Sequence, residues 1–127
     1  MKRHEKLLQL SRDHYSALKL ARDAKQAAAS GDNTAIATVA TAATAAFAAE
    51  LEPHFRIEED TLLPLLSRIG QEQMAHRAAA DHAELRRLAT LLQTPDAAAL
   101  AAFGELLALH VRFEEREMFE ALQPLLE

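Results

Sequence analysis

The residues best suited to chemistry stand in a repeated hexapeptide. His-x-Arg-x-Glu-Glu occurs as His54-Phe55-Arg56-Ile57-Glu58-Glu59 and again as His110-Val111-Arg112-Phe113-Glu114-Glu115. Each copy has a Phe seven residues before its His (Phe47, Phe103) and a Leu three before it (Leu51, Leu107). In each, the His and the first Glu are four residues apart. On a helix that spacing stacks the two side chains on one face, a turn apart. The apolar residues that continue the face turn it toward a core. An inward imidazole beside an inward carboxylate is how a helical bundle builds a metal site.

Two further histidines carry the same signature. His14 shares a helical face with Leu7, Leu10, Leu18 and Ala21, and His82 with Ala75, Ala78, Leu85 and Ala89. Any one of these, alone, reads as a hydrogen-bonded core histidine. Four of them on four apolar faces, joined by two core carboxylates, read as ligands. A buried unpaired carboxylate costs several kcal/mol or titrates to neutrality, and a cation removes that penalty. The candidate set is therefore His14, His54, Glu58, His82, His110 and Glu114. Four imidazoles with two carboxylates suit iron, and could also hold zinc, manganese or copper. If both Glu bridge, two ions each receive two His nitrogens and two Glu oxygens. The Glu-x-x-His spacing of ferritin-like sites is absent, as is the His-Glu-x-x-His of zinc proteases.

The neighbouring polar residues read more plainly. His76 lies six residues before His82, a rotation of about 240°, so it cannot share the ligand face. It is expected at the surface, as is His4. Glu59 and Glu115 lie about 100° beyond the ligand Glu. With Arg56 and Arg112 three residues before them, surface ion pairing is the expected role. The alternative is a hydrogen bond across to a ligand imidazole. Asp13 and Asp81, each next to a ligand His, carry the same two readings. Tyr15, the single tyrosine, is expected to pack at a helix interface.

The elements that must position these residues are helices. Ala, Leu, Glu, Arg and Gln dominate, with three Gly and four Pro as punctuation. No stretch alternates apolar and polar residues over strand length. The breaks predict four helices. The first runs from Lys6 or Ser11 (a plausible N-cap) to Ser30, with Gly31 at C′. The second starts at the capping pair Asp32/Asn33 and runs to about Leu62, before Pro64. The third covers about Gln71 to Leu92, and the fourth about Asp96 to Leu122. Short connections make neighbours antiparallel, up-down-up-down. Pro53 sits inside the second helix and crowds the carbonyl of Ala49, which predicts a kink or widened turn. Asp13-His14 and Asp81-His82 each precede a helix bearing the hexapeptide, so the halves look like related helical hairpins.

Bulk properties set the limits. The 127 residues read as one domain, 1–127, large enough to bury a core. A net charge of −5 argues against a nucleic-acid partner. The absence of cysteine removes disulfides, iron–sulfur clusters and thiol chemistry. Residues 1–10 lack the apolar core of a signal peptide, and 35–49 is too short and weakly hydrophobic to span a bilayer. A soluble cytoplasmic protein is expected.

The order of ligands resembles a known family. His on the first helix, His-x-x-x-Glu on the second, His on the third and His-x-x-x-Glu on the fourth is similar to the hemerythrin-like, or HHE cation-binding, domains. The resemblance runs from Asp13 to about Phe119. It implies an all-α up-down four-helix bundle around a non-haem di-iron centre. His14, His54, His82 and His110 would be terminal ligands, and Glu58 and Glu114 bridges. One departure stands out. Oxygen-carrying hemerythrins place His-x-x-x-His on the third helix, and here Ala78 stands four before His82. A less saturated iron is expected, favouring reaction with oxygen, peroxide or nitric oxide over reversible oxygen storage. The implied function is binding or sensing of such a molecule, or iron handling. A peroxidase-like or oxygen-reducing enzyme is the alternative. A structural bundle with a vestigial site is a third reading. Iron-centre repair ranks low, because those relatives carry additional N-terminal sequence with cysteines. Oligomerisation stays open.

Overall fold

The computed structural model describes residues 3–126. Four long helices account for nearly all of them, and no strand occurs among them. We number them α1 (Glu5–Ser30), α2 (Asn33–Arg68), α3 (Glu72–Leu91) and α4 (residues 97–126). Two apolar clusters fix their directions. Leu7, Leu62, Leu66, Ala75, Phe119 and Leu122 meet in one, and Ala27, Ile36, Leu92 and Leu100 meet in the other. The chain therefore passes from the first cluster to the second along α1, back along α2, out along α3 and back along α4. This is the up-down-up-down bundle that the short connections imply.

The helix starts are set by side chains. Asp32 accepts from the N–H groups of Thr34 and Ala35, and Asp96 from those of Ala98 and Ala99. Gly31 adopts φ 72° beyond Ser30, a left-handed conformation that a Cβ would oppose. The first helix starts earlier than its Ser11 alternative. His4 caps it, its Nδ1 accepting from the Lys6 N–H at 3.1 Å. Ser11 lies inside the helix, and its hydroxyl donates to Glu115 Oε2 at 2.7 Å.

Three π-helical turns interrupt the ladder, at Phe47–Leu51, Glu58–Leu62 and Glu114–Met118. In the first, the Glu52 N–H reaches the Phe47 carbonyl, five residues back, just before Pro53. That is the widened turn the proline predicts. The second does the same before Pro64, the Leu63 N–H bonding to Glu58 O. Pro64 was expected to end the helix near Leu62. Instead the widened turn relieves the clash, and α2 continues to Arg68. α4 also passes the expected stop at Leu122 and carries Pro124 within its last turns, with no π turn immediately before it among the described residues.

At 36 residues α2 contains an 18-residue window apolar enough to cross a membrane by length and composition, longer than the 35–49 stretch suggested. A mostly buried core helix passes the same test, whereas this window is 22% buried, with Ile36, Ala40 and Ala43 on the core face of α2. Elsewhere, α1 and α4 approach closely at Gly104. A Cβ there would stand 2.7 Å from the Ala21 carbonyl oxygen and 3.2 Å from the Ala24 Cβ.

Candidate metal centre

Each helix brings its candidate residues to the level where one apolar cluster gives way to the other. His14 lies between Leu10 and Ala17, and His82 between Ala78 and Leu85. His54 and Glu58 fall between Leu51 and Leu62, and His110 and Glu114 between Leu107 and Met118. All six are buried, Glu58 and Glu114 completely. The π turns begin at the two glutamates, so both His-Glu pairs sit where the helix is widened.

The four imidazoles face the two carboxylates one oxygen at a time. His54 Nε2 lies 3.0 Å from Glu58 Oε2, and His82 Nε2 3.0 Å from Glu58 Oε1. His14 Nε2 lies 2.8 Å from Glu114 Oε1, and His110 Nε2 2.9 Å from Glu114 Oε2. Two groups result, each with its donor atoms within 4.8 Å of one another. One is His14, His54, Glu58 and Glu114; the other is Glu58, His82, His110 and Glu114. The glutamates belong to both.

The closeness is not hydrogen bonding throughout. Glu58 Oε1, Glu114 Oε2, His82 Nε2 and His110 Nε2 are buried without a hydrogen-bond partner. Native interiors rarely leave such atoms unsatisfied, and an ion between them is one of the few explanations. A cation accepts lone pairs from directions that a hydrogen bond cannot use. The donor set and its orphaned atoms thus fit a metal ion.

The outer imidazole nitrogens close a ring around the bundle. His54 Nδ1 pairs with Asp13 Oδ2 at 3.0 Å, and His82 Nδ1 with Glu59 Oε2 at 2.8 Å. His110 Nδ1 pairs with Asp81 Oδ2 at 2.9 Å, and His14 Nδ1 with Glu115 Oε2 at 2.6 Å. Each helix supplies one imidazole and one carboxylate, and each carboxylate reaches the imidazole of the next helix. A carboxylate can only accept, so Nδ1 carries a proton, and loss of the Nε2 proton would turn that nitrogen's lone pair inward toward a cation. Glu59 and Glu115 do form ion pairs, but with Arg86 and Arg3 rather than Arg56 and Arg112, and each also holds a ligand imidazole, the alternative reading. Arg56 pairs with Glu52 instead, and Arg86 from α3 takes both Glu52 and Glu59. Asp13 and Asp81 serve not the adjacent histidine but one on the neighbouring helix.

Without a cation the site is electrostatically crowded. Burial lowers the basicity of His54, but the Glu114 and Glu58 carboxylates outweigh it and raise its pKa to about 11. Burial likewise lowers the basicity of His110, but Glu114 and Asp81 outweigh it and raise its pKa to about 10. Burial and the neighbouring Glu114 charge push Glu58 up. Glu114 resists its own burial and lies well below the usual carboxylate range, because His110, His14 and His54 surround it. Glu115 falls to about 2 despite burial, held by His14, Ser11 and Arg3. Elsewhere, His76 is exposed as expected. Tyr15 is 79% exposed and packs at no helix interface within this chain, contrary to expectation. Leu18 lies at the surface beside it.

Fold and site together define an all-α bundle with a buried His/Glu cluster able to hold cations. The family model of the hemerythrin HHE cation-binding domain matches residues 3–122, and the chain belongs to that family. Three curated mycobacterial proteins are similar, each 39% identical over 84 residues, covering 59% of this chain and 49% of theirs. They are the uncharacterised proteins Mb2666c of Mycobacterium bovis, and MT2709 and Rv2633c of Mycobacterium tuberculosis. The matched region spans about half the length of these relatives. No solved structure matches the chain.

Proposed function

We propose that His14, His54, Glu58, His82, His110 and Glu114 hold two iron ions, with Glu58 and Glu114 shared between them. The observation that carries this is the sharing itself. Each glutamate belongs to both donor groups and presents one oxygen to an imidazole of each. Zinc or manganese suits the same nitrogen and oxygen donors and is a substitute.

We further propose that the centre binds or senses oxygen, peroxide or nitric oxide, or handles iron. One observation supports a small ligand. Four donors per ion would leave a six-coordinate metal short of its complement, and Ala78, where a further imidazole would stand, is fully buried in an apolar cluster. A cavity of about 10 Å³ lies against the donors His14, His54, His110 and Glu114, with Ala17, Leu51 and Val111 also in its wall. That is about the space of one ion or water-sized molecule. Bound iron would supply redox and Lewis-acid chemistry there. The chain's own part is to aim four lone pairs, exclude bulk water and keep the Nδ1 protons on the outer carboxylates.

Elemental analysis of protein purified from iron-replete cells tests the reading, followed by optical spectra with and without oxygen. Two irons per chain and an oxygen-dependent spectrum are expected. A metal-free protein whose melting is indifferent to chelator would instead indicate a vestigial site.

A further inference from the structure

The carboxylate ring is itself held from outside, and unevenly. Arg86 spans two carboxylates of α2. Its Nε and Nη2 donate to Glu52 at 2.6 and 3.0 Å, and its Nη1 and Nη2 to Glu59 at 2.8 and 3.0 Å. Glu59 is the acceptor for His82 Nδ1. The same guanidinium lies 5.7 Å from the centre of the Phe55 ring, and Phe55 stacks on His82 at 4.0 Å and 10°.

Arg3 repeats the arrangement at the other group. Its Nη2 donates to Glu115 Oε1 at 3.2 Å and to the Glu115 carbonyl at 2.7 Å, and its Nη1 to Glu120 at 3.2 Å. Glu115 is the acceptor for His14 Nδ1. Arg3 lies 5.6 Å from the Phe119 ring centre, and Phe119 stacks on His14 at 5.4 Å and 12°.

The repeat does not explain this match. In the register that aligns His14 with His82, Arg86 corresponds to Leu18 and Arg3 to Gln71. In the hexapeptide register, Phe55 corresponds to Val111 and Phe119 to Leu63. The two halves build one device from unrelated positions. The other two imidazoles have a looser hold. Arg77 lies 4.2 Å over the Phe113 ring but only 3.9 Å from Asp81, beyond hydrogen-bond distance, and Phe113 meets His110 tilted at 6.3 Å and 43° rather than stacked. Among the described residues Asp13 receives the neutral Gln9 amide besides His54.

We propose that Arg86 and Arg3 are positioning residues of the metal centre, each guanidinium fixing at once the carboxylate that holds an imidazole by Nδ1 and the phenylalanine that stacks on that imidazole. The hydrogen bond anchors one ring atom, and the stack stops the ring from turning about it. This rests on the two-cation reading. It also makes the control local: Arg86 serves the His82 group and Arg3 the His14 group. The planar fork that spans two carboxylates is specific to arginine, so lysine restores charge without restoring the clamp.

The test uses the full chain as Arg86→Gln, Arg86→Lys and Arg3→Gln, with Arg87→Gln, an exposed neighbour paired to Glu84, as control. In metal-free protein, nitrogen-15 NMR reads the protected Nδ1–H of each imidazole. Arg86→Gln should lose the His82 signal and keep that of His14, and Arg3→Gln the reverse. In iron-loaded protein, each Gln variant should release one of two ions to a chelator about tenfold faster, at the lower end of what outer partners of metal ligands contribute. Lys should recover only part of this. Unchanged signals and release rates would overturn the proposal. So would equal loss of both signals and both ions, which would mark a general structural role. Should Arg86→Gln not fold, Arg86→Lys decides by the same criteria. If wild-type protein takes up no cation, the two-cation reading fails, and the metal-free imidazole signals alone decide the clamp.

Discussion

The ring of outer carboxylates makes a graded prediction. His110 Nδ1–H donates to Asp81 at 2.9 Å, and the Asp81 side chain is 16% exposed. His54 Nδ1–H donates to Asp13 at 3.0 Å, and Asp13 is 38% exposed. Geometry is nearly the same, and access to water is not. Asparagine keeps an acceptor oxygen but loses the charge. A hydrogen bond to a charged group contributes about 1.5–3 kcal/mol and a neutral one about 0.5–1.5, so the change removes roughly 1–1.5 kcal/mol. In the drier Asp81 position this should appear nearly whole, about tenfold in the affinity of one cation. Water should compensate much of it at Asp13, leaving about threefold or less. Asp81→Ala, which removes the acceptor, should approach a hundredfold. Competition against a chromophoric chelator measures the affinities. Melting of each metal-free variant separates affinity from folding. If both Asn variants bind within twofold of wild type, or Asp13→Asn binds more weakly than Asp81→Asn, then the outer carboxylates do not tune the site as argued.

Other expectations follow from the same geometry. Glu58→Ala and Glu114→Ala should each abolish the two-ion complement, and His76→Ala should leave metal content unchanged, both read by elemental analysis. In metal-free protein, His54 and His110 titrate at about 11 and 10, above the ordinary histidine value of 6.5. Their folded-state pKa values are raised, so their contribution to stability is fully present below 6.5 and is lost as pH rises through 10–11. The melting temperature of the metal-free chain should fall across that upper range, with the sign opposite if the imidazoles were buried neutral. Cation uptake should displace these protons, so binding should tighten with rising pH well above 6 and release protons measurable in weak buffer. Gly104→Ala should lower stability by about 1–2 kcal/mol in thermal melts, because overpacking against the Ala21 carbonyl exceeds the roughly 1 kcal/mol gain in helix propensity.

The six candidate residues were readable because their signal is local. His and Glu four apart, on faces continued by Leu and Phe, can point only one way once the helix forms. The Pro53 turn was readable for the same reason, since the clash with Ala49 lies within one turn. What lay between helices was not. Asp13 reaches His54 rather than His14, and Glu59 meets Arg86 rather than Arg56, because bundle register and not sequence distance sets those neighbours. Arg3 is more than a hundred residues from its partner Glu115. Pro64 misled in the opposite sense, since nothing local announces that a π turn will carry the helix past it. Tyr15 was assigned to an interface from its rotation of about 100° away from His14, and it instead stands exposed at the edge of a hollow that Val111 and Glu115 also line.

The position of the site between two apolar clusters bears on how the chain unfolds. Along every helix, polar side chains replace the core at one level, so hydrophobic packing is interrupted across the whole section of the bundle. With cations bound, that layer ties four helices together. Without them it becomes a plane of charged groups between two small cores, each close to the size at which burial alone barely sustains a fold. The metal-free chain should then lose its all-or-none behaviour. Amides around Leu100 and Phe103 should open to exchange separately from those around Leu66 and Leu122, and cation binding should merge the two openings into one.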